Sequence, residues 1–211
     1  GVPEDILIRY NPGGTLTVGN HVMGNPQEAK FGFTRPHLAQ GVRSLMALGA
    51  KRFGLHSFLA SNVTQSEYFP AMARTLFAIA RELRDEVGCE VFMINLSGGV
   101  GIPYLPGEPG PDIQRIGGGV RAAYEEILVP AGLGHMRLAT ELGRFMTGPF
   151  GYLVARAVHE KHIYREYIAL DACAADLLRP AMYGAYHHIT VPGKEGAPED
   201  HVYDVIGSLC E

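Results

Sequence analysis

Four short apolar runs, starting near residues 6, 52, 91 and 136 and separated by stretches of helical periodicity, constrain this chain more than any other feature. Runs of this length bounded by turn residues read as strands, and connections that contain a helix bring the next strand back parallel to the last. Repetition of that unit describes consecutive β/α units of a barrel. A complete barrel needs eight strands and about 250 residues. Four units are half of one, so the expected fold class is α/β: the second half of a (β/α)8 TIM-type barrel over residues 1–149. Beyond Gly143 the texture changes. Strand-like runs at 152–158, 166–170 and 186–192 follow with no helix between the first two, so 150–211 is expected to be part of an antiparallel β domain, itself incomplete.

Within the first part, Asn11-Pro12-Gly13-Gly14 stops the first strand, and glycines, asparagines and Pro26 mark a long loop over 15–32. Thr34 with Pro36 two residues on is a helix-start signal, and Leu38, Val42, Leu45 and Met46 hold helical spacing until Gly49. Phe69, Met72, Leu76, Ile79, Ala80, Leu83 and Val87 form one face of a longer helix ended by Gly88. A third helix is centred on 120–128.

With 211 residues, 46% hydrophobic and a formal charge of −4, the chain carries no basic cluster, which argues against nucleic acid or an anionic membrane as partner. Cys89, Cys173 and Cys210 are odd in number and lack metal-ligand spacing, so a reducing compartment and no metal are expected. No apolar stretch approaches bilayer length, and a cytoplasmic location is the default expectation.

In a barrel the working residues lie at the carboxyl ends of the strands. Those ends carry Asn11; His56 with Phe58 and Ser61; Ser97-Gly98-Gly99-Val100-Gly101; and Glu141 with Arg144. The glycine-rich turn can bare backbone N–H groups to a phosphate or be a plain chain reversal. His56 reads as a core or rim histidine or as a base, Glu141 and Arg144 as a local ion pair or as site residues, and Ser61 as a loop serine or a phosphate donor. His159-Glu-Lys-His162 lacks the spacing of a zinc helix and reads as an exposed polar turn. Cys210, ending the apolar run 202–209, reads from its neighbours as a buried inert cysteine.

Several segments together resemble the alanine-racemase-like, fold type III pyridoxal-phosphate enzymes, and most closely the diaminopimelate decarboxylases. They are Ile8-Arg9-Tyr10-Asn11-Pro12-Gly13, Lys30-Phe31-Gly32, Gly54-Leu55-His56, the turn 97–101 continued by Ile102-Pro103-Tyr104, Glu141-Leu142-Gly143-Arg144, the run 179–187 from Arg179 to His187, and Gly207-Ser208-Leu209-Cys210-Glu211. They occur in the family's order and cover almost the whole chain, as its carboxyl-terminal portion. The resemblance implies that pyridoxal 5'-phosphate is the cofactor and that Gly98, Gly99 and Ser61, with Arg144 or its backbone neighbours, hold its phosphate. It implies Glu141 against the pyridine nitrogen, and Arg144, Arg179 and Tyr183 on the carboxylate of a small amino-acid substrate. Cys210 would be the catalytic acid, reaching across the interface of a homodimer with shared active sites. Glu211 would recognise the distal ammonium of meso-2,6-diaminopimelate, which decarboxylation turns into L-lysine.

Two substitutions depart from the family pattern: Phe58 stands where a histidine usually stacks on the cofactor ring, and Leu142 where a proline is usual. The family's Schiff-base lysine lies in a segment that this chain does not contain; Lys30, Lys51, Lys161 and Lys194 stand in other contexts. This chain by itself is therefore expected to be inactive. The alternatives are a non-catalytic relative that keeps the dimer surface and binds a partner, and a decarboxylase of the same fold acting on another basic amino acid.

Overall fold

The computed structural model describes residues 1–14 and 25–210. They form two units, one of Gly1–Ile102 with Pro109–Pro149, the other of Pro103–Glu108 with the chain from Phe150 onward.

The first unit is a parallel sheet of β1 (Asp5–Arg9), β2 (Arg52–His56), β3 (Glu90–Asn95) and β4 (Arg137–Ala139), in the order β1-β2-β3-β4. Helices α1 (Arg35–Ala47), α2 (Tyr68–Val87) and α3 (Ile113–Ile127) connect them. Parallel strands in sequential order, with the right hand that such crossovers take as a rule, bring all three helices to one face of the sheet. There Ile8, Phe53, Leu55, Val91 and Ile94 pack with Leu38, Val42, Leu76, Phe77, Leu83, Ile116 and Ala123, each buried. Val91 and Ile94 are three apart, yet both reach this core. An irregularity opposite Phe53/Gly54 passes over Phe92, resetting the alternation. Arg52 and Arg137 lie 5.5 and 5.6 Å from the Phe92 ring.

On the other face Leu7 is 42% exposed. Leu7 covers Gly54, where a β-carbon would collide with its side chain. Among the described residues β1 and β4 are each paired on one side only, an open four-stranded α/β sheet. Thr34 is the N-cap residue of α1, but its hydroxyl pairs with His37 Nδ1 at 2.7 Å rather than with a backbone N–H. Asp112 caps α3, accepting from the Arg115 N–H at 3.0 Å. Gly88 closes α2 in the left-handed conformation, φ 72°. A five-residue helix that the sequence pattern did not suggest, α4 (Gly143–Thr147), follows β4.

The second unit corrects several expectations. Its sheet, β5 (Ala157–His162), β6 (Glu166–Leu170) and β7 (Asp204–Ile206), is mixed rather than antiparallel: β5 and β6 run antiparallel, whereas β7 is parallel to β6. The chain between β6 and β7 includes the helix α5 (Leu178–Tyr183) and is long enough for a crossover, so it need not return as a hairpin. β5 begins five residues later than its apolar residues suggested. His159 and His162 accordingly sit on a strand, not in a turn; β5 is an exposed edge, where charged residues are favoured. Residues 186–192 have strand-like composition but form no strand, because among the described residues they have no ladder partner. Cys210 is exposed, not buried: its apolar run contributes only the three exposed residues of β7. Cys89, Cys173 and Cys210 are free thiols, and no helix of the described residues is long and apolar enough to cross a membrane.

Candidate active site

The carboxyl ends of the four parallel strands lie side by side, and their loops are fastened to one another by backbone hydrogen bonds. Tyr10 N–H donates to His56 O (2.7 Å), Leu96 N–H to Ala139 O (2.8 Å) and Glu141 N–H to Ser97 O (2.8 Å). After β2 and β3 the chain is zipped by Val63 N–H to Gly99 O (2.8 Å), Gly101 N–H to Val63 O (2.9 Å) and Ile102 N–H to Asn62 Oδ1 (3.0 Å). Asn62 takes a positive φ of 55° to make that last bond.

Asn95, buried at the end of β3, is the hub. Its Oδ1 accepts the Ser97 N–H at 2.7 Å and its Nδ2 donates to Glu141 Oε1 at 2.7 Å. A backbone donor on one side and a carboxylate on the other fix which way the amide points. Glu141 is thereby oriented while remaining exposed. In the sequence Asn95 stands inside the apolar run that starts at 91. A polar residue closing a buried strand is the signal that could have marked it.

Gly98 and Gly99 serve packing as well as any ligand. A β-carbon on Gly98 would collide with the Glu141 carbonyl oxygen, and one on Gly99 (φ 96°) would lie 2.5 Å from the Ala60 carbonyl oxygen. Among the described residues the N–H groups of both glycines donate to nothing, while those of Ser97 and Gly101 are taken by Asn95 and Val63. Two buried hydroxyls, Ser57 Oγ and Ser97 Oγ, also have no partner among the described residues. Ser97 holds a positive φ of 64° besides. Unsatisfied buried donors and left-handed non-glycine backbone each cost about 1–3 kcal/mol, and such costs concentrate where a ligand is bound. Uncommitted N–H groups and hydroxyls beside an oriented carboxylate fit an anionic phosphate and a protonated ring nitrogen.

Phe58 is half-buried, its carbonyl oxygen accepting from Arg9 Nη2 at 2.6 Å. The Arg9 guanidinium lies 5.9 Å from the Phe58 ring and 4.9 Å from that of Phe31, in the segment Lys30-Phe31-Gly32. Asn11 organises its own loop through Pro26 O (2.8 Å), Phe31 O (3.1 Å) and Gly13 N–H (2.9 Å). Ser61 is half-buried in the bend after β2, and Arg144 half-buried in α4.

Burial pushes the His56 imidazole below 6.5, and nearby Arg9 adds to that, while the Glu141 carboxylate opposes it. His56 is therefore neutral at pH 7. Its stability contribution is complete above the unfolded value of 6.5 and is lost as pH falls through the lower folded value. An NMR titration should give a His56 midpoint below 6.5, and Glu141→Gln should lower it further by removing the one opposing charge. A midpoint indifferent to Glu141→Gln would show that the two do not interact.

In the second unit, α5 places Arg179 and Tyr183 four residues apart on one helix face, with Gly184 closing it at φ 59°. Arg179 is half-buried and Tyr183 is 48% exposed. Cys210 follows β7, and Glu211 lies outside the described residues. Among the described residues no group of three or more His, Cys, Asp or Glu side chains could hold a metal.

A parallel α/β unit whose strand ends offer loose N–H groups and a fixed carboxylate has the features of a pyridoxal-phosphate-binding domain. The family model for pyridoxal-dependent decarboxylases, pyridoxal binding domain, matches residues 3–148, and the chain belongs to that family, whose cofactor is pyridoxal 5'-phosphate. Protein TabA of Pseudomonas amygdali pv. tabaci is 34% identical over 210 residues, covering 100% of this chain and 49% of that protein. The diaminopimelate decarboxylase of Methanothermobacter thermautotrophicus is 32% identical over 211 residues, with 99% and 49% covered. Among solved structures, the diaminopimelate decarboxylase of M. jannaschii in co-complex with L-lysine superposes with a TM-score of 0.77 at 28% identity, covering 98% of this chain and 48% of that one. The chain spans about half the length of the curated relatives it matches.

Proposed function

We propose that this chain serves a fold type III decarboxylase that converts meso-2,6-diaminopimelate to L-lysine and carbon dioxide, with its first unit the carboxyl half of a cofactor-binding barrel over residues 1–149 and 150–211 the start of a β domain. The observation that carries the reading is Glu141, held by Asn95 at 2.7 Å beside the uncommitted N–H groups of Gly98 and Gly99. The Schiff-base lysine would come from the part of the relatives' length that this chain does not span.

When bound, pyridoxal phosphate supplies the electron sink for the bond that releases carbon dioxide. Gly98 and Gly99 N–H, the Ser61 hydroxyl and Arg144 hold the phosphate. Glu141 keeps a proton on the pyridine nitrogen, and Asn95 keeps Glu141 in place. Phe58 offers an aromatic face to the ring without a hydrogen bond. Arg179, Tyr183 and Arg144 bind the substrate carboxylate, Glu211 takes the distal ammonium, and Cys210 delivers a proton to the carbon that has lost carbon dioxide, in a cytoplasmic homodimer with shared sites.

Carbon dioxide release by the enzyme with its lysine-bearing half present, on the same chain or another, tests the reading across meso-diaminopimelate, ornithine, arginine and lysine. Diaminopimelate is expected to lead the panel. Preference for another basic amino acid would reassign the substrate within the same chemistry. Retention of pyridoxal phosphate with no release from any of them would favour the second reading, a non-catalytic binding relative, which Phe58 in place of the ring-stacking histidine motivates.

A further inference from the structure

Arg179 is not a loose side chain. Its Nη1 donates to Tyr104 Oη at 2.7 Å and lies 3.2 Å from His187 Nε2, while its guanidinium carbon stands 4.8 Å from the centre of the Tyr104 ring. The Tyr104 and His187 rings meet edge to face, centres 5.1 Å apart at 73°. All three residues are half-buried within the second unit.

The chemistry of the groups fixes the arrangement further. Arginine has no lone pair to offer, so His187 Nε2 must be the acceptor, which makes His187 neutral with its proton on Nδ1. Nη1 carries two hydrogens, and Tyr104 and His187 use both. That leaves Nε and Nη2, the edge of the guanidinium whose two parallel N–H groups match a carboxylate, and among the described residues neither donates to any protein acceptor. Tyr104 arrives on the β3–α3 connection, five residues after Gly99, so one connection carries both the glycine turn and the clamp on Arg179.

We propose that Tyr104 and His187 are positioning residues: together they saturate Arg179 Nη1, and the Tyr104 ring lies against the guanidinium, so that its Nε–Nη2 edge receives a ligand carboxylate in two hydrogen bonds. The inference rests on the decarboxylase reading for the identity of the ligand, an amino acid with a free carboxylate. It adds two residues which that reading left without a role.

The test is calorimetric binding to the cofactor-loaded enzyme, lysine-bearing half present, of L-lysine and of 1,5-diaminopentane, which has the same chain and amines but no carboxylate. Tyr104→Phe and His187→Ala are each expected to weaken L-lysine about three- to tenfold, the size of one neutral hydrogen bond, and to leave diaminopentane unchanged. His187→Gln, which restores an acceptor at the distal position, should recover lysine binding. Arg179→Lys, which loses the fork, should cost lysine at least about tenfold. Tyr104→Phe and His187→Ala proteins that bind lysine normally, or lose lysine and diaminopentane equally, would overturn the positioning role while leaving the decarboxylase reading intact. A wild-type protein that binds neither would overturn both.

Discussion

Cys210→Ala, in the enzyme with its lysine-bearing half present, is expected to lower kcat about 10²–10⁴-fold, the usual loss when a positioned general acid is removed, with little change in KM. The thiol is free and exposed four residues beyond β7. Exposure suits an acid that must meet a substrate and excludes the inert core role its apolar neighbours suggested. Because the proposed proton transfer follows loss of carbon dioxide, the substitution removes a step and not a binding contact, so steady-state kinetics should separate kcat from KM. Unchanged kcat would take Cys210 out of the mechanism. A matched rise in KM would make it a binding residue.

Gly99→Ala should destabilise the protein by about 2–4 kcal/mol with no cofactor present. Two costs combine: a non-glycine residue at φ 96°, and a β-carbon 2.5 Å from the Ala60 carbonyl oxygen. Neither backbone can give way easily, because Val63 N–H to Gly99 O and Gly101 N–H to Val63 O hold the two loops together. For a chain of this size the loss corresponds to a fall in Tm of roughly 5–15 °C, which calorimetry on the cofactor-free protein would read. If Gly99 were there only to let a phosphate approach, the substitution would leave that melting temperature alone and weaken phosphate binding instead. The geometry points to both effects, with the stability loss present before any ligand arrives.

Much of the first unit was legible in the sequence because its signals are local. Periodicity along 69–87 and the stop at Gly88 mark α2, and the short apolar runs mark β1, β2 and β3 within a residue or two. The second unit was read less well for a physical reason. β5 is fully exposed, and among the described residues the segment 186–192 has no ladder partner, so composition there reports neither burial nor pairing.

The candidate site divides along the same line. Residue type and place at the strand ends marked Phe58, Ser61, Gly98, Gly99, Glu141 and Arg144, and the motif around 179–187 marked Arg179 and Tyr183. Tertiary structure alone showed Asn95 gripping Glu141 across 46 positions, Arg9 holding Phe58 across 49, and Tyr104 clamping Arg179 across 75. Strands, helices and turns follow from free energies of neighbouring residues, so a chain states them wherever it is read. Hydrogen bonds between distant side chains exist only once folding brings their elements together, and no local pattern along this chain encodes which donor will meet which acceptor.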